Sequence, residues 1–149
     1  MAWQACRRRV NGVTLVEMLV SLVVLGITVA VAIPAHRAYV VRVNRGEARR
    51  DLLALAEQLH RCFERAGDYR ADSTGSPNPC VKLPSINAEG TYTVAFAPGE
   101  PRANGFRLVA TPAAKADSSC GALTLDERGN QGITGGSGAP QDCWQGSGD

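Results

Sequence analysis

The sequence is poor in residues that do chemistry. It has two histidines, His36 and His60. His60 stands two positions before Cys62, so a helix holding both would not put them on one face. Both histidines read as surface residues. No cysteine pair has the close spacing of a zinc site. A glycine-rich phosphate loop is missing, and so are the usual nucleophile motifs. These gaps argue against an enzyme, a metal site and a bound cofactor. Gly135 to Gly138 read as loop.

Charge is missing where it matters most. Residues 13–33 hold 21 positions and a single charge, Glu17. At about 1.5 Å per residue, a helix of that length spans roughly 32 Å, the thickness of a bilayer core. The rest of the chain is polar, with loops rich in Gly, Ser, Pro and Asn. One membrane segment and one soluble head are therefore expected in these 149 residues. Arg7, Arg8 and Arg9 precede the apolar run, and positive flanks stay in the cytoplasm. Arg37, Arg42 and Arg45 follow it, but acids soon join them. The head is expected on the far side of the membrane.

Net charge is also nearly absent once the leader is set aside. Residues 1–12 carry three of the 16 basic residues and none of the 14 acidic ones. The basic character of the whole chain is thus weak evidence for nucleic-acid binding. Cysteine fits the same division. Cys6 falls on the reducing side. Cys62, Cys80, Cys120 and Cys143 form an even set on the oxidising side, as expected for two disulfides. Spacing alone leaves all three pairings open.

An ordinary secretory signal ends in small residues at a cleavage site. Here Pro34-Ala35-His36-Arg37 follows the apolar run, and Gly12 stands before it. The stretch GVTLVEMLVSLVVLG, from Gly12 to Gly26, follows a short basic leader. In this combination it resembles the prepilin motif of the type IV pilin family. The resemblance implies a cut after Gly12 by a membrane prepilin peptidase and N-methylation of Val13, with the helix retained. Val13 stands where phenylalanine is most usual. Glu17 matches the family's glutamate, Gly26 and Pro34 its helix glycine and proline, and Tyr39 and Arg42 also fall at familiar places.

A lone carboxylate at mid-membrane costs about 2.5–3.5 kcal/mol on the lenient scale, so Glu17 needs a partner. Cleavage would create an amine on Val13, four residues away on one helix. The resemblance implies a second partner, the N-terminal amine of a neighbouring subunit in a filament. Only that pairing rewards entry in register. Between Gly26 and Pro34, five of seven residues are β-branched. β-branched residues and glycine form helix weakly, and proline removes a hydrogen bond. Residues 26–34 are the least secure part of the helix, and in resembling filaments this portion unwinds on packing.

Leu52, Leu55, Ala56, Leu59, Cys62, Phe63 and Ala66 recur at spacings of three and four, which predicts an amphipathic helix ending near Gly67. A helix from Val13 to Ala66 would be roughly 80 Å long, more than a head of this size can cover. Its first half is expected to protrude and its second half to form a spine, the ladle form of pilins. Gly67 to about Gly90 reads as loop and contains Ser76 to Pro79. Strands are expected at 91–97, with Tyr92, Val94 and Phe96 on one face, at 106–111 and at 122–125. Arg128 to Gly132 reads as a turn. The fold class is α+β, a long helix packed on a three- to four-stranded antiparallel meander. The expected divisions are a leader at 1–12, a membrane and filament-core helix at 13–34, and a head at 35–149.

The pattern C-G-A-L-T-L-D-x-x-G-N-Q-G, ending in Cys143-Trp144, resembles a subgroup of minor pilins. That likeness favours pairing Cys62 with Cys80 and Cys120 with Cys143. Closing loops of these lengths contributes about 3 kcal/mol each. The leading expectation is a minor pilin of a type IV pilus. It would sit in the inner membrane with a periplasmic head, then in the extracellular filament. Its partners would be other pilins, the prepilin peptidase and methyltransferase, and the assembly ATPase and platform. Two other expectations remain. Arg42, Arg45 and Arg49 recur at three and four, one basic stripe suited to DNA capture. Subunit contacts with acidic neighbours explain the stripe equally, and the near-neutral processed chain favours that reading. A pseudopilin of a type II secretion system would share everything in residues 12–34.

Overall fold

The computed structural model describes residues 12–71, 74, 80–86, 90–113 and 117–146, excepting the side chains of Pro34 and Ala35. The basic leader before Gly12 and the run Ser76 to Pro79 lie outside the described residues. Helix α1 covers Leu15–Ala66. Five strands follow: β1 (Ser85–Ile86), β2 (Tyr92–Phe96), β3 (Arg107–Pro112), β4 (Gly121–Asp126) and β5 (Gln131–Gly135). A short helix α2 (Pro140–Gln145) closes the order. Contacts divide the chain into two units between Ala38 and Tyr39, a little beyond Pro34.

The first unit contains the apolar part of α1. Thr14 starts it, since its Oγ1 accepts the Glu17 N–H at 3.2 Å and so satisfies one of the orphan donors of a helix start. Two hydroxyls that would otherwise stand bare fold back onto the helix. Ser21 Oγ donates to the Glu17 carbonyl and Thr28 Oγ1 to the Val24 carbonyl, both at 2.8 Å. The described side chains of residues 13–33 are all exposed within the chain. The helix assignment runs unbroken through Gly26 and Pro34.

The second unit is a sheet laid on the amphipathic part of α1. All strands are antiparallel, in the order β1-β2-β3-β4-β5. The register builds layers on one face. Phe96 stands opposite Leu108, and Leu108 opposite Leu125. Val94, Ala110, Leu123 and Ile133 form the next row. Ala48, Leu52, Ala56 and Leu59 of α1 belong to the same buried cluster. Burying one large apolar side chain contributes about 1.5–3 kcal/mol, so the stripe and the strand alternation specify each other. At the end of α1, Phe63 stacks on Tyr69 with centroids 4.4 Å apart, and Tyr69 meets Phe106 edge-on at 5.1 Å. Gly67 ends the helix in the left-handed region, donating to the Phe63 carbonyl at 2.7 Å.

The sheet has five strands where three or four were expected. The two additional strands lie at its edges and carry little pattern. β1 has two residues, and β5 reads Gln-Gly-Ile-Thr-Gly, with Ile133 alone packed on the core. The tail also holds α2, whose Cys143 and Trp144 are buried. Gly121 makes the close approach here possible. It has φ +60°, and a Cβ would collide with the backbone of Thr134 to Gly136.

Leu59 is fully buried and Leu53, on the same helix, is 50% exposed. Leu59→Ala should cost about 2–5 kcal/mol of stability and Leu53→Ala less than about 1 kcal/mol. Urea unfolding of the full chain in detergent micelles checks this.

Candidate functional site

Gly12 and Val13 are exposed just before α1, and Glu17 lies in its first turn. A carboxylate there gains from the helix dipole whatever else it meets. The sequence Thr-x-x-Glu also has the form of a capping box, and the Thr14 half of the box is made.

The arginines of the expected basic stripe have three different environments. Arg42 is exposed. Arg45 is 4% exposed and grips Asp117 with two bonds, Nε to Oδ2 at 2.7 Å and Nη2 to Oδ1 at 2.9 Å. Asp117 also accepts the Tyr92 hydroxyl at 3.0 Å and the Cys120 N–H at 3.0 Å. Burial alone would raise the Asp117 pKa. The bonds from Arg45, Cys120 and Tyr92, with the Arg45 charge, outweigh it and hold the carboxyl below its ordinary value. Burial first, then the Asp117 charge and hydrogen bond, push the Tyr92 hydroxyl well up. Arg49 is half-buried and donates to the Trp144 carbonyl. Burial, with Arg45 and Arg50 nearby, lowers its pKa. Arg45 and Arg49 thus hold the segment after β3 and the tail against α1.

The disulfides join Cys62 to Cys80 and Cys120 to Cys143, with Cα atoms 6.4 and 5.7 Å apart. The second closes a loop that holds β4, β5 and the start of α2. Trp144 Nε1 donates to the Gly132 carbonyl at 3.0 Å, fastening α2 to β5. His60 is half-buried, not a surface residue. Its Nδ1 lies 2.9 Å from the Tyr69 hydroxyl, and its ring meets Phe106 edge-on. The helix stripe turns this position towards Tyr69 and Phe106. Among the described residues, no group of His, Cys, Asp and Glu could hold a metal ion.

A second cluster of arginines escaped the sequence reading. The β2–β3 and β4–β5 connections leave the sheet at one end and enclose a cleft of about 310 Å³, lined by Arg102, Asn104, Arg107, Asp126, Glu127 and Arg128. Arg102 and Gly105 pair as an isolated bridge. Asp126 spends its oxygens on its own turn, accepting the N–H groups of Arg128 and Asn130 at 3.0 and 2.8 Å. Burial raises its pKa, but the bonds from Asn130 and Arg128 and the Arg107 charge bring it below the ordinary value.

A family model described as type IV minor pilin ComP, DNA uptake sequence receptor, matches residues 34–124, well over half of the chain. The chain belongs to that family. The prokaryotic N-terminal methylation motif matches residues 7–33, so the two matches adjoin at Pro34. A type IV pilin from Shewanella oneidensis is similar in structure, with a TM-score of 0.44 and 26% identity, over 61% of this chain and 89% of that one. No curated protein sequence matches the chain. As a member of a minor pilin family, the chain is a pilin of the α+β class, and assembly with other pilins and pilus machinery follows from that class.

Asp117→Asn should destabilise the chain by about 3–5 kcal/mol, because it strands a buried guanidinium. Arg45→Met combined with Asp117→Leu should cost less than the two single changes together. The pH dependence has a definite sign. A depressed carboxyl stabilises fully above its unfolded value, about 3.9, and loses that contribution as pH falls through its lower folded value. Urea unfolding below about pH 4 should therefore weaken the natural chain more steeply than the double variant.

Proposed function

We propose that this chain is a minor subunit of a type IV pilus that is cut after Gly12, enters the filament through its apolar helix and receives DNA on its head. The observation that carries the proposal is the family match over residues 34–124, whose description is that of a DNA uptake sequence receptor. It moves DNA capture ahead of the subunit-contact reading of the arginines. Before assembly the chain would sit in the inner membrane with its head in the periplasm, an oxidising space suited to two disulfides.

In this reading Glu17 neutralises the amine of Val13 in the free subunit and a neighbour's amine in the fibre. An uncompensated carboxylate in an apolar core costs about 2.5–3.5 kcal/mol even on lenient scales, so the exchange keeps subunits in register. Residues 26–34 supply the portion that unwinds on packing. The buried Arg45 cannot offer its charge to DNA. The exposed arginines of the head must do so, since the processed chain has no excess of positive charge.

The mass and N-terminal sequence of the chain from cells with and without prepilin peptidase test the processing. A start at Val13 carrying a methyl group, found only with the peptidase, is expected. A Met1 start in both strains would overturn it. Glu17→Val should leave the membrane level unchanged and remove the chain from sheared filaments. Duplex DNA should bind the detergent-solubilised chain and be released between about 50 and 200 mM salt.

A further inference from the structure

We propose that Asn104 is a site of self-modification, where the folded chain converts the side-chain amide to a carboxylate and Glu127 takes the proton that must leave. The proposal stands apart from the DNA reading. Asparagine is among the thermolabile residues. It is lost when the next backbone nitrogen attacks its side-chain carbonyl, and a glycine there leaves the approach open because it has no Cβ. Asn104-Gly105 is such a pair. Asn11-Gly12 is the other in the sequence, and the processing proposed above would remove Asn11 with the leader.

The step balances without an oxidant or a cofactor. The Gly105 nitrogen gives up its proton and attacks Cγ of Asn104. A bond forms between that nitrogen and Cγ, the bond from Cγ to Nδ2 breaks, and Nδ2 leaves with a proton as ammonia. A cyclic imide remains. Water opens it at the new bond to give aspartate, or at the old peptide bond to give isoaspartate. One nitrogen is exchanged for one water oxygen, and no electrons change hands. Three arginines and two acids line this cleft, so the new carboxylate brings its lining into balance.

The turn suits the reaction. Asn104 is exposed at its tip, open to water. The Arg102 N–H holds the Gly105 carbonyl at 2.8 Å, but the Gly105 N–H reaches the Arg102 carbonyl only at 3.5 Å. That is a marginal hydrogen bond, so the nitrogen gives up little on attacking. The Glu127 carboxylate packs on Gly105, since a Cβ built there would lie 3.3 Å from Oε2. It is a base beside the residue whose proton must leave. Arg102, Arg107 and Arg128 favour the negative charge that develops on Oδ1 of Asn104. Each arginine is itself held by an acid. Arg102 Nη2 lies 2.7 Å from Oε1 of the nearly buried Glu100, Arg128 Nε lies 3.6 Å from Glu127 Oε1, and Arg107 stands opposite Asp126 across the β3–β4 ladder. The other asparagines lack these conditions. Asn44 lies within α1, where the next N–H is bonded along the helix. Asn78 precedes a proline, which has no N–H, and Asn87 precedes an alanine, whose methyl narrows the approach. Asn130 is tied to Asp126 through its N–H and its Nδ2, at 2.8 and 2.9 Å.

The test is to incubate the full chain in detergent in heavy-oxygen water and to map its digested peptides by mass. The Asn104 peptide should gain a solvent oxygen with time, while the peptides holding Asn44 and Asn130 stay unchanged. The whole chain should shift to the acidic side on isoelectric focusing, and Asn104→Gln should remove that shift over the same period. A pH profile tests Glu127. In the urea-unfolded chain hydroxide must take the proton, so the rate should rise about tenfold per pH unit between about pH 6 and about pH 8. A carboxylate is ionised throughout that range, so the folded chain should change less than about threefold. Glu127→Gln should slow the folded chain by about tenfold or more near pH 6 and restore the steep profile. A folded chain that keeps Asn104 intact while the unfolded chain converts it overturns the proposal. Equal conversion at Asn44 or Asn130 overturns the choice of site. A steep profile in the folded chain, or a Glu127→Gln variant that behaves as the natural one, overturns the part given to Glu127.

Discussion

One helix has to satisfy two environments. Before Pro34, α1 is apolar on every side, which suits lipid or a bundle of like helices. From Arg45 to Cys62 it is apolar along one stripe, which suits a sheet. No loop separates the two regimes within α1, so the change of pattern marks the boundary between them. The contact division between Ala38 and Tyr39 falls where the pattern changes. Everything in the second unit is then referred to that stripe. The sheet has one covered face because α1 has one apolar face, and the register of β2, β3, β4 and β5 follows from filling it.

Arg45 shows how such a frame can hold a charge at its edge. It stands where the stripe would continue, and an unpaired guanidinium there would be costly. Asp117 answers it with both oxygens, and Tyr92 and the Cys120 N–H use the carboxylate's remaining capacity. The group is satisfied throughout, and it lies between α1, β2 and the start of the loop closed by Cys120–Cys143. A buried pair of this kind adds little net stability over an apolar substitute. Its effect is positional, because an arginine fork accepts a carboxylate in one orientation and so fixes where the closed loop begins. Arg49 and Trp144 fix its end.

Local patterns in the sequence were legible where they concerned one segment. The helix stripe, the alternation of β2, β3 and β4, and the prepilin stretch each needed no partner to be read. What escaped depended on residues brought together by folding. β5 is an edge strand of five residues with glycine at 132 and 135, and its pairing is visible only beside β4. Asp117 sits among small polar residues before Cys120, with no local sign that Arg45, far along the chain, would meet it. The spacing of Arg42, Arg45 and Arg49 was right for one helix face, but spacing does not say which residues along a face the sheet will cover. Arg102, Arg107 and Arg128 form no run at all. Antiparallel pairing places Arg107 opposite Asp126, and only the shared end of two hairpins collects the three.

This difference bears on how a near-neutral chain can recognise a polyanion. Net charge governs long-range attraction, which is screened within about 10 Å at ordinary salt. A head that relied on it would need a cationic surface, and part of the only obvious candidate, the α1 stripe, is consumed by the fold. Tethered arginines act differently. Their acids cancel the far field and leave short-range donors fixed in direction. Such a surface is suited to short-range contacts that depend on the direction of its donors.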